Sequence, residues 1–156
     1  MYLYDLVSIE EILKRFTVIS IVGLSKDPSK DSYRVASYMK NEGFTIIPVN
    51  PSTSEILGER CYLSLTAMPE ELQRRVEIVN IFRPSQQVSP LVDEAIKMRK
   101  RWGSPSVVWT QLGIVDYEAA ARAESAGLAV VMDRCILIEH QRINREPVSQ
   151  NKRSAK

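Results

Sequence analysis

Residues 17–34 read TVISIVGLSKDPSKDSYR. Thr17-Val18-Ile19-Ser20-Ile21-Val22 is β-branched and almost wholly apolar, as expected of a strand buried on both faces. Gly23 then punctuates the chain. A polar loop follows and leads into a helical pattern in which Asp31 or Ser32 can act as cap and Val35, Tyr38 and Met39 share one face. Gly43 ends that helix. Phe44-Thr45-Ile46-Ile47-Pro48-Val49 is a second strand, closed by Asn50-Pro51. Strand, helix and strand over about 33 residues make a βαβ unit, so the two strands should be parallel. The loop after the first strand of such a unit favours anions. Free backbone N–H groups and the positive end of the helix dipole meet there.

The alternation continues on both sides. Ser8-Ile9-Glu10-Glu11 has the form of a capping box and opens a short helix carrying Ile9, Ile12, Leu13 and Phe16. Cys61-Tyr62-Leu63 is expected as a short edge strand. Val76–Phe82 reads as a strand. The following helix is expected to start with Ser89 as N-cap and Pro90 as its first residue. Ser106–Trp109 is the next strand, and a helix with Asp116 near its start runs to Gly127. Leu128–Met132 is the last strand. Asp133-Arg134-Cys135 opens the final helix, expected to end near Ile143, with Asp133 as a cap. The predicted class is α/β: one doubly wound, Rossmann-like domain over residues 1–143, its mostly parallel five- to six-stranded sheet covered by helices on both faces. The expected core order is 3-2-1-4-5, with an optional sixth strand. It places the switch point beside strand one, facing Gly23 and Arg83.

Bulk properties narrow the function. The chain has 156 residues and a net charge of +2. Four basic residues of the tail 144–156 (Arg145, Lys152, Arg153 and Lys156) stand against the single acid Glu146. The body is therefore near neutrality, which argues against a nucleic-acid face. That basic tail lacks periodicity and is expected to be disordered. No signal peptide or membrane-spanning run is expected. Two cysteines in no metal spacing fit a reducing, cytoplasmic setting, and one histidine leaves little material for a metal site. The apolar Tyr2-Leu3-Tyr4 start and the Trp102 and Trp109 region suggest a homo-oligomer.

The loop departs from the common nucleotide fingerprints. A dinucleotide site asks for G-x-G-x-x-G and an acid at the end of strand two; here Gly23 stands alone and strand two ends in Asn50-Pro51. No Walker A pattern is present. In place of glycines stand Ser25, Lys26, Ser29, Lys30, Ser32 and Arg34, a set rich in phosphate donors, with Arg83 at the same sheet edge. Lys26 and Lys30 could alternatively pair with Asp27 and Asp31 on a wet loop.

Six ordered blocks carry a family resemblance: Gly23-Leu24-Ser25, Ser32-Tyr33-Arg34-Val35-Ala36, Pro48–Pro51, Ile81–Ser85, Val108–Ile114 and Val131–Ile136. Together they resemble the stand-alone CoA-binding domains, which are similar to the CoA-binding domain of the succinyl-CoA synthetase α-subunit and of acyl-CoA synthetases. The resemblance implies that coenzyme A or an acyl-CoA is the ligand. It implies that Gly23, Ser25 and Lys26, with Lys30, Ser32, Tyr33 and Arg34 close by, hold its phosphates. Asn50 and Pro51 would border the adenosine, and Phe82, Arg83 and Pro84 would line the cleft. Gln111, Leu112 and Gly113 would lie toward the pantetheine arm.

In the synthetases the phosphorylated histidine belongs to a later domain. Here the only histidine, His140, falls at helical spacing with Ile136 and Ile143, so packing is expected for it and ligase activity is not. The expected role is a CoA-binding or sensing module with no assigned catalytic residue. The alternative is a small NAD(P)- or CoA-dependent oxidoreductase or transferase using Asp133, Tyr33 or Cys135. Cys135, beside Arg134 at a helix start, is the candidate redox thiol; Cys61 is expected to have no role.

Overall fold

The computed structural model describes residues 6–155, and side chains over residues 9–145. Five strands, β1 (Val18–Val22), β2 (Thr45–Val49), β5 (Ile78–Ile81), β6 (Val107–Thr110) and β7 (Ala129–Val131), form one parallel sheet in the order β2-β1-β5-β6-β7. Between β2 and β5 lie a two-stranded ribbon, β3 (Glu55–Ile56) with β4 (Glu59–Arg60), and the one-turn helix α3 (Glu70–Gln73). The edge strand expected at Cys61–Leu63 shrinks to a single parallel bridge between Tyr62 and Val49. If that bridge counts as the third member, the expected order holds and extends to 3-2-1-4-5-6. Its pairing is confined to one residue, with the Tyr62 N–H donating to the Pro48 carbonyl at 3.1 Å and the Asn50 N–H to the Tyr62 carbonyl at 3.0 Å.

Each sheet face is sealed by helices. On one side α1 (Leu6–Arg15), α2 (Asp31–Asn41) and α6 (Ile136–Ala155) bring Ile9, Val35, Met39 and Ile136 onto Ile19, Ile21, Ile78 and Trp109. On the other, α4 (Val88–Trp102) and α5 (Tyr117–Ser125) bring Val92, Ala95, Met98 and Ala119 onto Val22, Val79, Ile81 and Val130. The near-continuous apolar strands follow from this double coverage: side chains on both faces of each strand leave water. Each fully buried aliphatic side chain contributes roughly 1.5–3 kcal/mol of transfer free energy.

Several boundaries differ from the sequence expectation. Helix α1 begins at Leu6, so Ser8 lies inside its first turn rather than capping it. Helix α2 begins at Asp31 with Lys30 at the N-cap position, and neither Asp31 nor Ser32 caps it. Helix α4 begins at Val88, directly after a 3-10 turn over Ser85–Gln87, so Pro90 is its third residue. Proline is tolerated there because first-turn amides have no intrahelical acceptor anyway. Asp116 does cap α5, its carboxylate accepting the Ala119 N–H at 3.0 Å. The α6 backbone continues to Ala155, past the end expected near Ile143. Of the basic tail, only Asn144 and Arg145 have described side chains.

Candidate functional site

Every β-to-α connection of a parallel sheet leaves at the strands' C-terminal ends. Gly23, Asn50, Phe82, Gln111 and Cys135 are therefore delivered to one edge. The loop after β1 is built tightly. Gly23 has φ +92°, and a Cβ added there would meet the Phe82 carbonyl oxygen at 2.8 Å and Arg83 Cδ at 3.3 Å. This glycine is thus required by the close approach of the β1 and β5 connections, a reason that does not depend on any ligand.

Side chains then stitch the loop. The Ser25 N–H donates to Ser32 Oγ at 2.9 Å, the Asp27 N–H to Ser25 Oγ at 3.0 Å, and the Asn50 amide to the Leu24 carbonyl at 2.8 Å. Asp27 accepts both the backbone N–H and the hydroxyl of Ser29, at 2.9 and 2.8 Å. Those two hydrogen bonds, with the nearby Lys30 charge, hold the Asp27 carboxyl below its ordinary pKa. Ser25, Ser32 and Asn50, expected as ligand contacts, therefore have framework hydrogen bonds of their own.

Lys26 and Lys30 are exposed and make no contact ion pair among the described residues, although the Lys30 charge lies near enough to Asp27 to act on it. Asp31 pairs with Arg34 instead. Arg83 is half-buried beside Gly23 and likewise has no ion-pair partner among the described residues. No side chain caps α2. The loop therefore presents an uncapped helix N-terminus with three unpaired cations on the connections beside it. Backbone N–H groups and cations are the donor types that hold anions.

Next to the loop lies a cleft of about 390 Å³. Asp31, Arg34 and Val35 of α2 form one wall and Phe82 another; Gln111, Leu112 and Ile114 follow from the β6 connection, and Cys135, Leu137 and Ile138 from the start of α6. Of the expected residues, the cleft brings together Arg34, Phe82, Gln111 and Cys135. Lys26, Lys30, Tyr33, Pro51, Pro84 and Gly113 do not line it. Tyr33 packs against the core, and Pro51 and Pro84 are exposed on neighbouring connections. The Gly113 N–H is taken by the Asp133 carboxylate at 2.6 Å.

Gln111 is buried, and its side-chain oxygen accepts from Asn80 Nδ2 and from the Ile136 N–H, each at 3.1 Å. It thereby supplies an acceptor to the start of α6 from a neighbouring strand. Asp133, expected as the helix cap, holds Gly113 instead and has φ +62°. Cys135 occupies the cap position, its carbonyl accepting the Glu139 N–H at 3.0 Å. Cys135 is half-buried on the cleft wall, and Cys61 packs elsewhere with its thiol pKa raised, mainly by burial. Both cysteines are unpaired.

His140 packs edge-on against Tyr38 and Phe44, its Nδ1 2.8 Å from the Tyr38 hydroxyl, as expected for a packing residue. Trp109 is fully buried, its indole N–H donating to the Arg134 carbonyl, and Trp102 lies under the Arg74 and Arg101 guanidiniums. Trp109 thus exposes no apolar surface, Trp102 is half-buried, and Tyr2-Leu3-Tyr4 lies outside the described residues. Sequence reasoning missed the aliphatic wall of Val35, Ile114, Leu137 and Ile138. One signal was present. Ile136-Leu137-Ile138 is a run of three at a helix start, and a helix facing a core on one stripe cannot bury all three.

The family model described as "CoA binding domain" matches residues 17–141. The chain is 37% identical over 132 residues to "Uncharacterized protein YneT" of Bacillus subtilis, an alignment covering 85% of this chain and 91% of that one. It is 33% identical over 67 residues to the ADP-forming acetate–CoA ligase of Methanocaldococcus jannaschii, covering 42% of this chain and only 10% of the ligase. A solved hypothetical protein from Pyrococcus horikoshii superposes with a TM-score of 0.80 at 34% identity, covering 90% of this chain and 92% of that one.

Proposed function

The chain belongs to the CoA-binding domain family, and from that membership we propose that it binds coenzyme A or an acyl-CoA at the C-terminal edge of its sheet. The observation that carries this reading is the adjacency of an unneutralised anion site and an apolar cleft. CoA is itself divided in that way, with phosphates at one end and a long uncharged arm, its two amides and hydroxyl set among methylene and methyl groups, ending in a thiol at the other.

In this reading the phosphates lie at the start of α2, among Lys26, Lys30 and Arg83. The adenosine borders Asn50 and Pro51. The arm passes Phe82 and Gln111 into the cleft, bringing its sulfur toward Cys135. NAD is disfavoured because the β2 connection offers Asn50 and no carboxylate for ribose hydroxyls. The protein acts as a binding or sensing module.

Calorimetric titration of the full chain with CoA, NAD and ATP tests the reading. Binding of CoA alone is expected, and Arg83→Ala should weaken it by about 1–3 kcal/mol, the range for a charge-assisted contact. Binding of NAD in preference to CoA would refute it.

A second reading is favoured by the position of Cys135 on the cleft wall. Its thiolate could attack CoA disulfide, forming Cys135–S–S–CoA and releasing CoA thiolate. Intact-mass analysis after incubation with CoA disulfide would show one reductant-sensitive CoA adduct, absent from Cys135→Ser. An adduct that persists in that variant would exclude it.

A further inference from the structure

Resting on the CoA reading above, we propose that the physiological ligand is an acyl-CoA with an uncharged aliphatic acyl group, and that the cleft beside Cys135 is its acyl site. Several polar groups on the cleft walls already have partners. The Gln111 side-chain oxygen accepts from Asn80 and from the Ile136 N–H, and Asp31 and Arg34 neutralise one another. Apart from the Cys135 thiol and Gln111 Nε2, what remains is aliphatic and aromatic. Phe82 and Ile114 form the partly buried walls, and Leu112 and Ile138 stand at the mouth.

The mouth residues carry the inference. Leu112 is 65% exposed and Ile138 53% exposed, so two of the four large hydrophobic side chains most exposed on the described surface converge on one cleft. Isolated exposed leucines are ordinary, but a pair meeting across a concavity marks a binding surface. A free thiol would leave both in water. An alkyl chain extending past the thiol position would cover them. A carboxylate-terminated acyl group would lose its hydration there and find no unpaired cation on the cleft wall, since Arg34 is held by Asp31.

The test is a titration of the full chain with free CoA and with acetyl-, butyryl-, hexanoyl- and succinyl-CoA. Affinity should rise along the aliphatic series by about threefold to fourfold per buried methylene, until the cleft is filled. Succinyl-CoA should bind no more tightly than acetyl-CoA. Ile138→Asn, at an exposed position that the fold does not need, should flatten the dependence on chain length. A flat series in the wild-type chain, or tightest binding of succinyl-CoA, overturns the acyl assignment and leaves CoA binding standing. A series unchanged by Ile138→Asn also overturns it. Failure of every CoA species to bind overturns the parent reading together with this one.

Discussion

Gly23 sits where two connections nearly touch, and that contact by itself calls for a glycine. Its φ of +92° and the 2.8 Å approach to the Phe82 carbonyl mean that any Cβ must displace backbone. Gly23→Ala should therefore lower stability by about 1–3 kcal/mol, seen as a reduced urea midpoint without ligand. An unchanged midpoint would show that the β1 and β5 connections can yield. His140 provides the second test at this scale. Burial pushes its pKa below the ordinary value of 6.5, against the smaller raising effect of Glu42. The unfolded chain therefore binds a proton more readily than the folded one. Stability contributed by neutral His140 is complete above pH 6.5 and is lost as pH falls from there through the lowered folded value. Because the chain has one histidine, His140→Gln should remove that part of the pH dependence of the urea midpoint. A pH profile identical in the variant would assign the slope to carboxylates.

At the scale of elements, α2 and α5 make a controlled contrast. Asp116 caps α5 through the Ala119 N–H, while α2 starts at Lys30 with no side-chain cap. A ligand anion would supply what α2 lacks. Lys30→Asp should raise the stability of the unliganded chain by about 1 kcal/mol, the usual contribution of an N-cap. The same change should weaken CoA binding, because it removes a cation and sets a carboxylate where phosphate is proposed. Gain of stability together with unchanged affinity would move the phosphates away from α2. The start of α6 is different again: its first amide is satisfied by Gln111, directly after β6, and Trp109 and Thr110 hold the preceding turn through Arg134 and Asp133. Those bonds fix Cys135 on the cleft wall.

For the whole molecule, the proposed site draws on five connections of one sheet, so ligand occupancy should be felt as global stability. At a hundredfold excess over Kd, CoA should add about 2.7 kcal/mol, an upward Tm shift of roughly 5–10 °C for a domain of this size. NAD at the same concentration should leave Tm unmoved. Equal shifts with both nucleotides would point to general anion binding. No helix of the described residues is long and apolar enough to cross a membrane, and with α1, α2 and α6 on one face and α4 and α5 on the other, the cleft beside Cys135 opens at the strands' C-terminal edge.

What the amino-acid order decided by itself is local and periodic. Continuous β-branched runs, helical stripes and the punctuating Gly23, Gly43 and Gly127 state the α/β alternation, because burial on two faces and turn geometry act within a few residues. The alternation in turn sends the residues after each strand to a common edge, so Gly23, Arg83, Gln111 and Cys135 were legible as neighbours. Tertiary structure decided what each does there. Ser25 Oγ, Ser32 Oγ and the Gln111 side-chain oxygen accept hydrogen bonds from neighbouring N–H groups, and the Asn50 amide donates to Leu24; only packing reveals which polar atoms already have partners. It also decided that Leu112 and Ile138 face a cleft. An apolar residue in the sequence promises burial, and only the assembled fold shows which ones are left for something else to cover.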